Sequence, residues 1–250
     1  MHLASTPALQ RIAASHVLRI GTTGDYAPFS VESRGTLCGA DIELALDLAR
    51  QLGSRPLFVR TSWPTLLSDL RRDEFDVAIG GISATAARGA VAGLTIPYLS
   101  VGKTIITRCA VARRLGSLAA LDQPGVRVVV NPGGTNEQFA RSHLHRAQLR
   151  LYKDNLSIFD ELIAGRADAM ITDDVEVELE THRHRELCRS FPGTLTRADK
   201  VILTARDAAL TAAVNAWLGK ELAAGVVDRL LREGAGTCDA EATAAGRAAR

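Results

Sequence analysis

The sequence predicts a two-lobed α/β protein, each lobe a mainly parallel sheet flanked by helices, with a ligand cleft between the lobes. Apolar runs of β character alternate with amphipathic helical patterns, the signature of a parallel sheet covered by helices. That alternation breaks over Ile96 to Arg108 and restarts at Arg127, and a second break from Phe191 to Asp207 returns the chain through extended sequence. Two extended crossovers make the first lobe discontinuous. The expected division is 1–107 plus 196–235 for lobe 1 and 108–195 for lobe 2, with 236–250 a small, polar, disordered tail.

Taken in order, VLRIGTT (Val17 to Thr23) reads as a buried strand that ends in the loop GDYAPFS. A helix follows at Ala40, with apolar residues at Ile42, Leu44, Ala45, Leu48 and Ala49 and Gly53 closing it. PLFVR is a strand. SWPTLLSDLRRDEF is a helix with Ser62 as its cap before Trp63 and Pro64. DVAIGGIS is the third strand, and TAARGAVA a short helical segment. After the first crossover come the strand RVVV, a helix from Thr135 to His145, the strand LRLYK and the helix SIFDELIAGRA. The strand DAMITDD and the helix VEVELETHRH lead to the second crossover. Helical patterns from Asp207 to Leu218 and from Ala223 to Glu233 complete the fold.

Bulk properties exclude several classes. The chain has 250 residues, 46% hydrophobic and 23% charged, an ordinary balance for a folded globular protein. A net charge of +2 with no long basic block argues against a nucleic-acid partner. No apolar run approaches the ~20 residues that span a bilayer, so no membrane partner is expected. The first twenty residues lack the apolar core of a signal peptide, so the chain is either cytoplasmic or begins near its mature start. The cysteines Cys38, Cys109, Cys188 and Cys238 form no CxxC pair, which disfavours zinc and leaves a long-range disulfide open. Two histidine pairs, His143/His145 and His182/His184, have a spacing that points to opposite sides of a helix. They read as surface residues, and no metal site is expected.

The stretch NPGGTNEQF, Asn131 to Phe139, carries the clearest local chemistry. A strand that runs through glycines into a helix aims unpaired backbone N–H groups and the positive end of the helix dipole at one place. An anion suits that geometry. The lysine of a phosphate loop is missing, so a carboxylate or other polar ligand is expected. The plain alternative is a strand-to-helix turn capped by Thr135. The loops at the carboxyl ends of the strands (GDYAPF, TSWP, GGIS, NPGGTN and ITDD) should gather at the cleft.

This layout resembles the type-2 periplasmic solute-binding fold of the polar amino-acid binders over roughly residues 15 to 235. GISATAAR is similar to the pattern in which a Ser and an Arg five residues later hold a ligand α-carboxylate. The resemblance therefore implies that Ser83 and Arg88 bind it, the latter through a bidentate fork, with Thr135 joining from the second lobe. It implies that Asp173 pairs with a ligand ammonium. TTGDYAPFS, TSWPTLL, FDVAIGGIS, IPYL before GKT, NPGGTNEQFAR, DNLSIF, and ITDDVE before ELC resemble the cyclohexadienyl dehydratase family, which descends from that solute-binding fold. The family converts prephenate to phenylpyruvate, and arogenate to phenylalanine, by loss of water and carbon dioxide.

That chemistry needs a general acid, because the ring hydroxyl cannot leave as hydroxide at neutral pH. A carboxyl group lifted towards neutrality by burial would serve. The resemblance places the acid at Glu176, a position at which an isolated Glu is ordinarily a solvated helix residue. Asn136 would bond the leaving hydroxyl or hold Glu176. Lys103 would attract a carboxylate from the hinge, or stand exposed on the crossover. Tyr26 and Trp63 would wall the ring, or pack as core. Asp25 would orient Tyr26 or Lys103, or cap a turn. The resemblance implies no metal and no organic cofactor, a small dicarboxylate as partner, and export to the periplasm; it leaves a homo-oligomer open. It also pairs Cys109 with Cys188 and leaves Cys38 an unpaired, partly buried thiol; Cys238, in the tail, is expected to be the most reactive. The rival reading is a transport or sensing module that binds a polar amino acid. Ser83, Arg88, Thr135 and Asp173 fit both, whereas Glu176, Asn136 and TSWP favour the enzyme.

Overall fold

The computed structural model describes residues 7–233. The expected tail and Cys238 lie outside that range. The chain divides into two compact units: the first runs to Leu99 and resumes at Asp199, and the second is Ser100–Ala198. The expected boundaries near 107 and 195 shift to these positions for a clear reason. The strand Lys103–Arg108 pairs within the second unit, antiparallel to Ala169–Asp173, and Lys103 N–H donates to Thr196 Oγ1 at 2.9 Å.

In the first unit a five-stranded sheet has the order Arg55–Arg60, Val17–Thr22, Val77–Ala78, Leu203–Thr204, Gly93–Leu94. The first two pairings are parallel and the last two antiparallel, so Leu203–Thr204 is the strand of this sheet that opposes the other four. The helix Ala40–Gln51 buries Ile42, Leu44, Ala45, Leu48 and Ala49, and Gly53, at φ 62°, terminates it in the left-handed conformation that glycine adopts without penalty. The next helix starts at Leu66, not Ser62. Ser62 turns the chain instead: its hydroxyl meets that of Thr65 at 2.8 Å and its carbonyl accepts from Leu66 N–H.

Two parts of this unit depart from the local sequence pattern. GDYAPFS is not a simple loop. It opens a three-stranded antiparallel sheet, Asp25–Tyr26, Ser30–Ser33 and Thr36–Cys38. Its hairpin turns at Arg34 and Gly35, both at positive φ (51° and 81°), the backbone sense that matches strand twist. A helix, Ala8–Ser15, precedes the first strand and buries Ile12; the Asp207 carboxylate accepts from its Leu9 N–H at 2.9 Å. That acceptor comes from the far end of the chain. Asp207 also caps the helix Ala208–Ala223 through the N–H groups of Ala209 and Leu210, and a further helical run covers 226–233.

The second unit repeats the scheme. Its sheet has the order Gln148–Leu151, Arg127–Val130, Ala169–Asp173, Lys103–Arg108, Leu187–Arg189, and Lys103–Arg108 is the opposed strand. Alternate residues point to opposite faces, so the apolar runs feed two cores. Ile105, Val128, Val130, Ala169 and Ile171 fill one face. Ile106, Val129 and Met170 fill the other, with Ile158, Phe159 and Leu162 from the helix Ile158–Ile163. Cys109 and Cys188 form a disulfide beside the paired strands Lys103–Arg108 and Leu187–Arg189. Cys38 is disulfide-bonded, not an unpaired thiol.

Candidate active site

The second unit brings four of the expected residues together. Ala169–Asp173 runs straight into the helix Asp174–Arg183, so Thr172 and Asp173 end the strand while Glu176 sits in the first helical turn. Lys103 lies directly opposite Asp173 in the ladder, and its Nζ donates to Asp173 Oδ1 at 2.6 Å. Both side chains are buried. Lys103 is therefore not an exposed crossover lysine. Where the resemblance expects a ligand ammonium, Asp173 already meets the ammonium of Lys103.

Glu176 is 2% exposed, on the inward face of its helix with Val177 and Glu180. Thr172 Oγ1 donates a short hydrogen bond to Glu176 Oε2. Asn136, in the first turn of the helix Thr135–His143, donates through Nδ2 to Thr172 Oγ1 at 3.1 Å and to Asn131 Oδ1 at 3.0 Å. Both amide hydrogens are thus committed. Asn136 Oδ1 is buried with no hydrogen-bond partner among the described residues. Burial pushes the Glu176 carboxyl up to about 8. The Thr172 hydrogen bond opposes that rise, the charges of Glu180 and Asp173 add to it, and Lys103 pulls against it. At neutral pH Glu176 is an acid holding its proton.

The turn ahead of Asn136 runs through two glycines into the helix. Gly133 has φ 80°, Gly134 occupies the N-cap with no side chain to cap the helix, and Thr135 is the half-buried first helical residue, not the cap. Glu137 reaches back to accept from Gly133 N–H at 2.6 Å. His143, His145 and His182 are exposed; His184 is half-buried, its Nε2 3.4 Å from Glu180 Oε2.

The first unit assembles the other set. Trp63 Nε1 donates to Asp25 Oδ1 at 3.1 Å, so Asp25 orients Trp63. Burial raises the Asp25 pKa against hydrogen bonds that include this one. Tyr26 meets Trp63 edge-on at 5.9 Å and Phe29 at 5.0 Å. Arg88 is buried, with its guanidinium 6.0 Å from the Trp63 ring and Nη1 donating to Ser83 O at 2.5 Å. Asp25, Tyr26, Trp63, Ser83 and Arg88 therefore form one connected group.

Lys200 and Asp41 belong to that group's support, and the sequence reading singled out neither. Lys200, 1% exposed, donates to Gly81 O at 2.6 Å and to Ser83 Oγ at 3.1 Å, and its ammonium stands 5.0 Å from the Tyr26 ring. Asp41 accepts from Gly81 N–H and Tyr98 Oη, each at 2.7 Å, and burial lifts its pKa to about 6. Gly81 has φ 67°, and a Cβ there would come within 2.6 Å of Tyr26 and Phe29. Glycine at this position lets the backbone pass against the aromatic rings. Buried lysines with several acceptors have no sequence signature. Asp41 stands in the first turn of its helix, where an acidic residue is ordinary.

Residues 18–233 match the family described as bacterial extracellular solute-binding proteins, family 3. The chain belongs to that family. It is 45% identical to the cyclohexadienyl dehydratase of Pseudomonas aeruginosa over 212 residues, 84% of this chain and 79% of that protein. An ancestral amino acid-binding protein, described as a precursor of cyclohexadienyl dehydratase, superposes with a TM-score of 0.83 at 32% identity. That match covers 90% of this chain and 98% of the other. An ancestral cyclohexadienyl dehydratase shares 40% identity over 94% of this chain and 98% of its own, with a TM-score of 0.57. Family 3 members and these neighbours share the two-lobed α/β fold expected from the sequence.

Proposed function

We propose that the chain is a cyclohexadienyl dehydratase, a carbon–oxygen lyase that aromatises prephenate to phenylpyruvate with release of water and carbon dioxide. The carrying observation is Glu176, a buried carboxyl that keeps its proton at neutral pH. Glu176 donates that proton to the ring hydroxyl, the C–O bond breaks, and water leaves. The electron pair of the bond to the ring carboxylate moves into the ring as carbon dioxide departs. Glu176 is left as carboxylate and regains a proton from solvent.

Asn136 complements the acid. A leaving hydroxyl must receive a proton on oxygen while its own hydrogen needs an acceptor, and Asn136 Oδ1 is a buried acceptor. Ser83 and Arg88 bind a substrate carboxylate, while Tyr26 and Trp63 flank the ring. Lys103 and Asp173 act as a neutral pair. Since Asp173 already holds an ammonium, the site is better suited to the keto acid than to arogenate. A polar amino-acid binder would gain nothing from a buried neutral acid, which costs stability as pH rises. We place the protein in the periplasm: the family is extracellular, and Cys109–Cys188 suits an oxidising compartment.

The test is incubation with prephenate at neutral pH, following phenylpyruvate and subtracting spontaneous conversion, beside Glu176→Gln. Turnover that collapses in the variant is the expected result. Turnover that survives would move the acid elsewhere, and tight amino-acid binding without turnover would return the chain to the transport class.

A further inference from the structure

We infer that Thr172 is a positioning residue for the acid: its hydroxyl takes one oxygen of Glu176 as acceptor, so the transferable proton resides on the other oxygen, Oε1. This rests on the acid role proposed for Glu176. A threonine hydroxyl has one hydrogen and two lone pairs. Asn136 Nδ2 donates into Thr172 Oγ1, which turns the single hydroxyl hydrogen towards Glu176 Oε2. Asn131 takes the second amide hydrogen and so holds Asn136 in that orientation. Asn136 therefore donates both to Asn131 and to Thr172, and Thr172 donates onward to Glu176, with every member buried. Oε2 has its donor, and an acid proton on Oε2 would face the Thr172 hydrogen. The proton is left on Oε1.

The backbone secures Thr172. It lies opposite Thr104 in the ladder at the end of a strand, 0% exposed and β-branched, with few accessible rotamers. The charged groups around Glu176 are Glu180 on its own helix, Asp173 ahead of it, and Lys103 on the neighbouring strand. Glu180 is paired with Arg183 and lies near His184. On the strands packed against the helix, Arg108 donates to the carbonyls of Leu162 and Ala167, and Arg189 to those of Phe191 and Gly193. Glu137, on the helix that carries Asn136, is held by Gly133 N–H and Arg141. Among the described residues, Thr172 is the neutral donor that meets the Glu176 carboxyl directly.

The experiment compares Thr172→Val, which keeps the shape and removes the hydroxyl, with Thr172→Ser, which restores it. In Thr172→Val kcat should fall about tenfold or more with little change in KM, from loss of one charge-relevant hydrogen bond and a misdirected acid. The alkaline limb of the rate profile should move to higher pH. Thr172→Ser should recover both. A purely structural threonine would lower Tm without moving the limb, and equal damage in Val and Ser variants would likewise overturn the inference. Carbon-13 NMR of the Glu176 carboxyl, assigned with Glu176→Gln, gives a readout without turnover. Its titration must rise in Thr172→Val and return in Thr172→Ser; an unmoved titration refutes the role of Thr172 even if the parent turns over nothing. Loss of the proposed function shows separately, as absence of prephenate turnover in the parent.

Discussion

Substituting Glu176 by Gln should make the stability of this protein less dependent on pH. The carboxyl has an ordinary value of 4.5 and a folded value of about 8. Below 4.5 the group is protonated in both the folded and the unfolded chain and costs nothing. Between 4.5 and about 8 the unfolded chain gains by ionising while the folded protein does not, so stability falls as pH rises. Above that window both forms are ionised and the loss is complete. At 1.36 kcal/mol per pH unit, the whole displacement is worth about 5 kcal/mol, and about 3 kcal/mol of it is lost by pH 7. Glutamine has no proton to lose, and its amide oxygen can accept from Thr172 as Glu176 Oε2 does.

The assay is urea unfolding of parent and variant from pH 4.5 to 8.5, each extrapolated to water. Any fixed cost of the amide shifts every point equally. Asp41, also raised, to about 6, contributes the same slope to both proteins and cancels in the difference. The advantage of the variant should therefore grow by about 3 kcal/mol between pH 4.5 and 7, and then flatten above about pH 8. A difference that stays constant over the range would mean that Glu176 is ionised in the folded protein at neutral pH, and the general-acid assignment would fail with it.

The same titration sets the pH dependence of turnover: activity should hold through neutral pH and decline above about 8 as Glu176 loses its proton, and a decline centred near 5 would contradict it. Lys103→Met removes the ammonium paired with the buried Asp173, so it should destabilise by about 3–5 kcal/mol, and Lys103→Met with Asp173→Asn should recover much of that in denaturant titrations. Replacing Cys109 and Cys188 together by Ala, which opens a separation of 79 residues, should cost about 4–5 kcal/mol by the loop-entropy relation, measured by denaturant titration of parent and variant without reductant so that the Cys38 disulfide stays intact. Arg88→Ala should raise KM for prephenate about 10- to 100-fold, the loss of a charged hydrogen bond, with a smaller effect on kcat.

What was legible in the sequence divides along a physical line. Runs with a continuous or periodic apolar pattern were read correctly: the RVVV strand, the apolar face of Ala40–Gln51, and the strand that ends at Asp173 before a helix. Features created by partners far along the chain were not. Asp207 secures the N-terminal helix, Lys200 braces Ser83, and the boundary at residue 99 follows from a strand that pairs with Ala169–Asp173. The chemistry of Glu176 lay between these cases. Its position came from motif resemblance, but its burial depends on a helix with a weakly amphipathic pattern whose inward face carries Glu176 and Glu180 beside Val177. Hydrophobic periodicity is silent about a carboxyl facing inward, and Thr172, between Ile171 and Asp173, stands in no motif of its own.

The Lys103–Asp173 pair shows why position alone does not determine such an acid. Asp173 by itself would drive the proton onto Glu176 more firmly and make it a poor donor; Lys103 by itself would draw Glu176 towards the ionised form. Held 2.6 Å apart on adjacent strands, the two charges largely cancel at Glu176, and burial becomes the governing influence. A cross-strand pair costs little to place correctly, because the ladder register already sets the two Cα atoms opposite one another. In an amino-acid binder the same carboxylate would be needed for the ligand's ammonium. Supplying that ammonium from within the protein removes a binding contact and at the same time stabilises the charge environment of a proton donor. Both consequences follow from one residue, Lys103, and they point the same way: towards a substrate that brings carboxylates and a hydroxyl to the site but no amine.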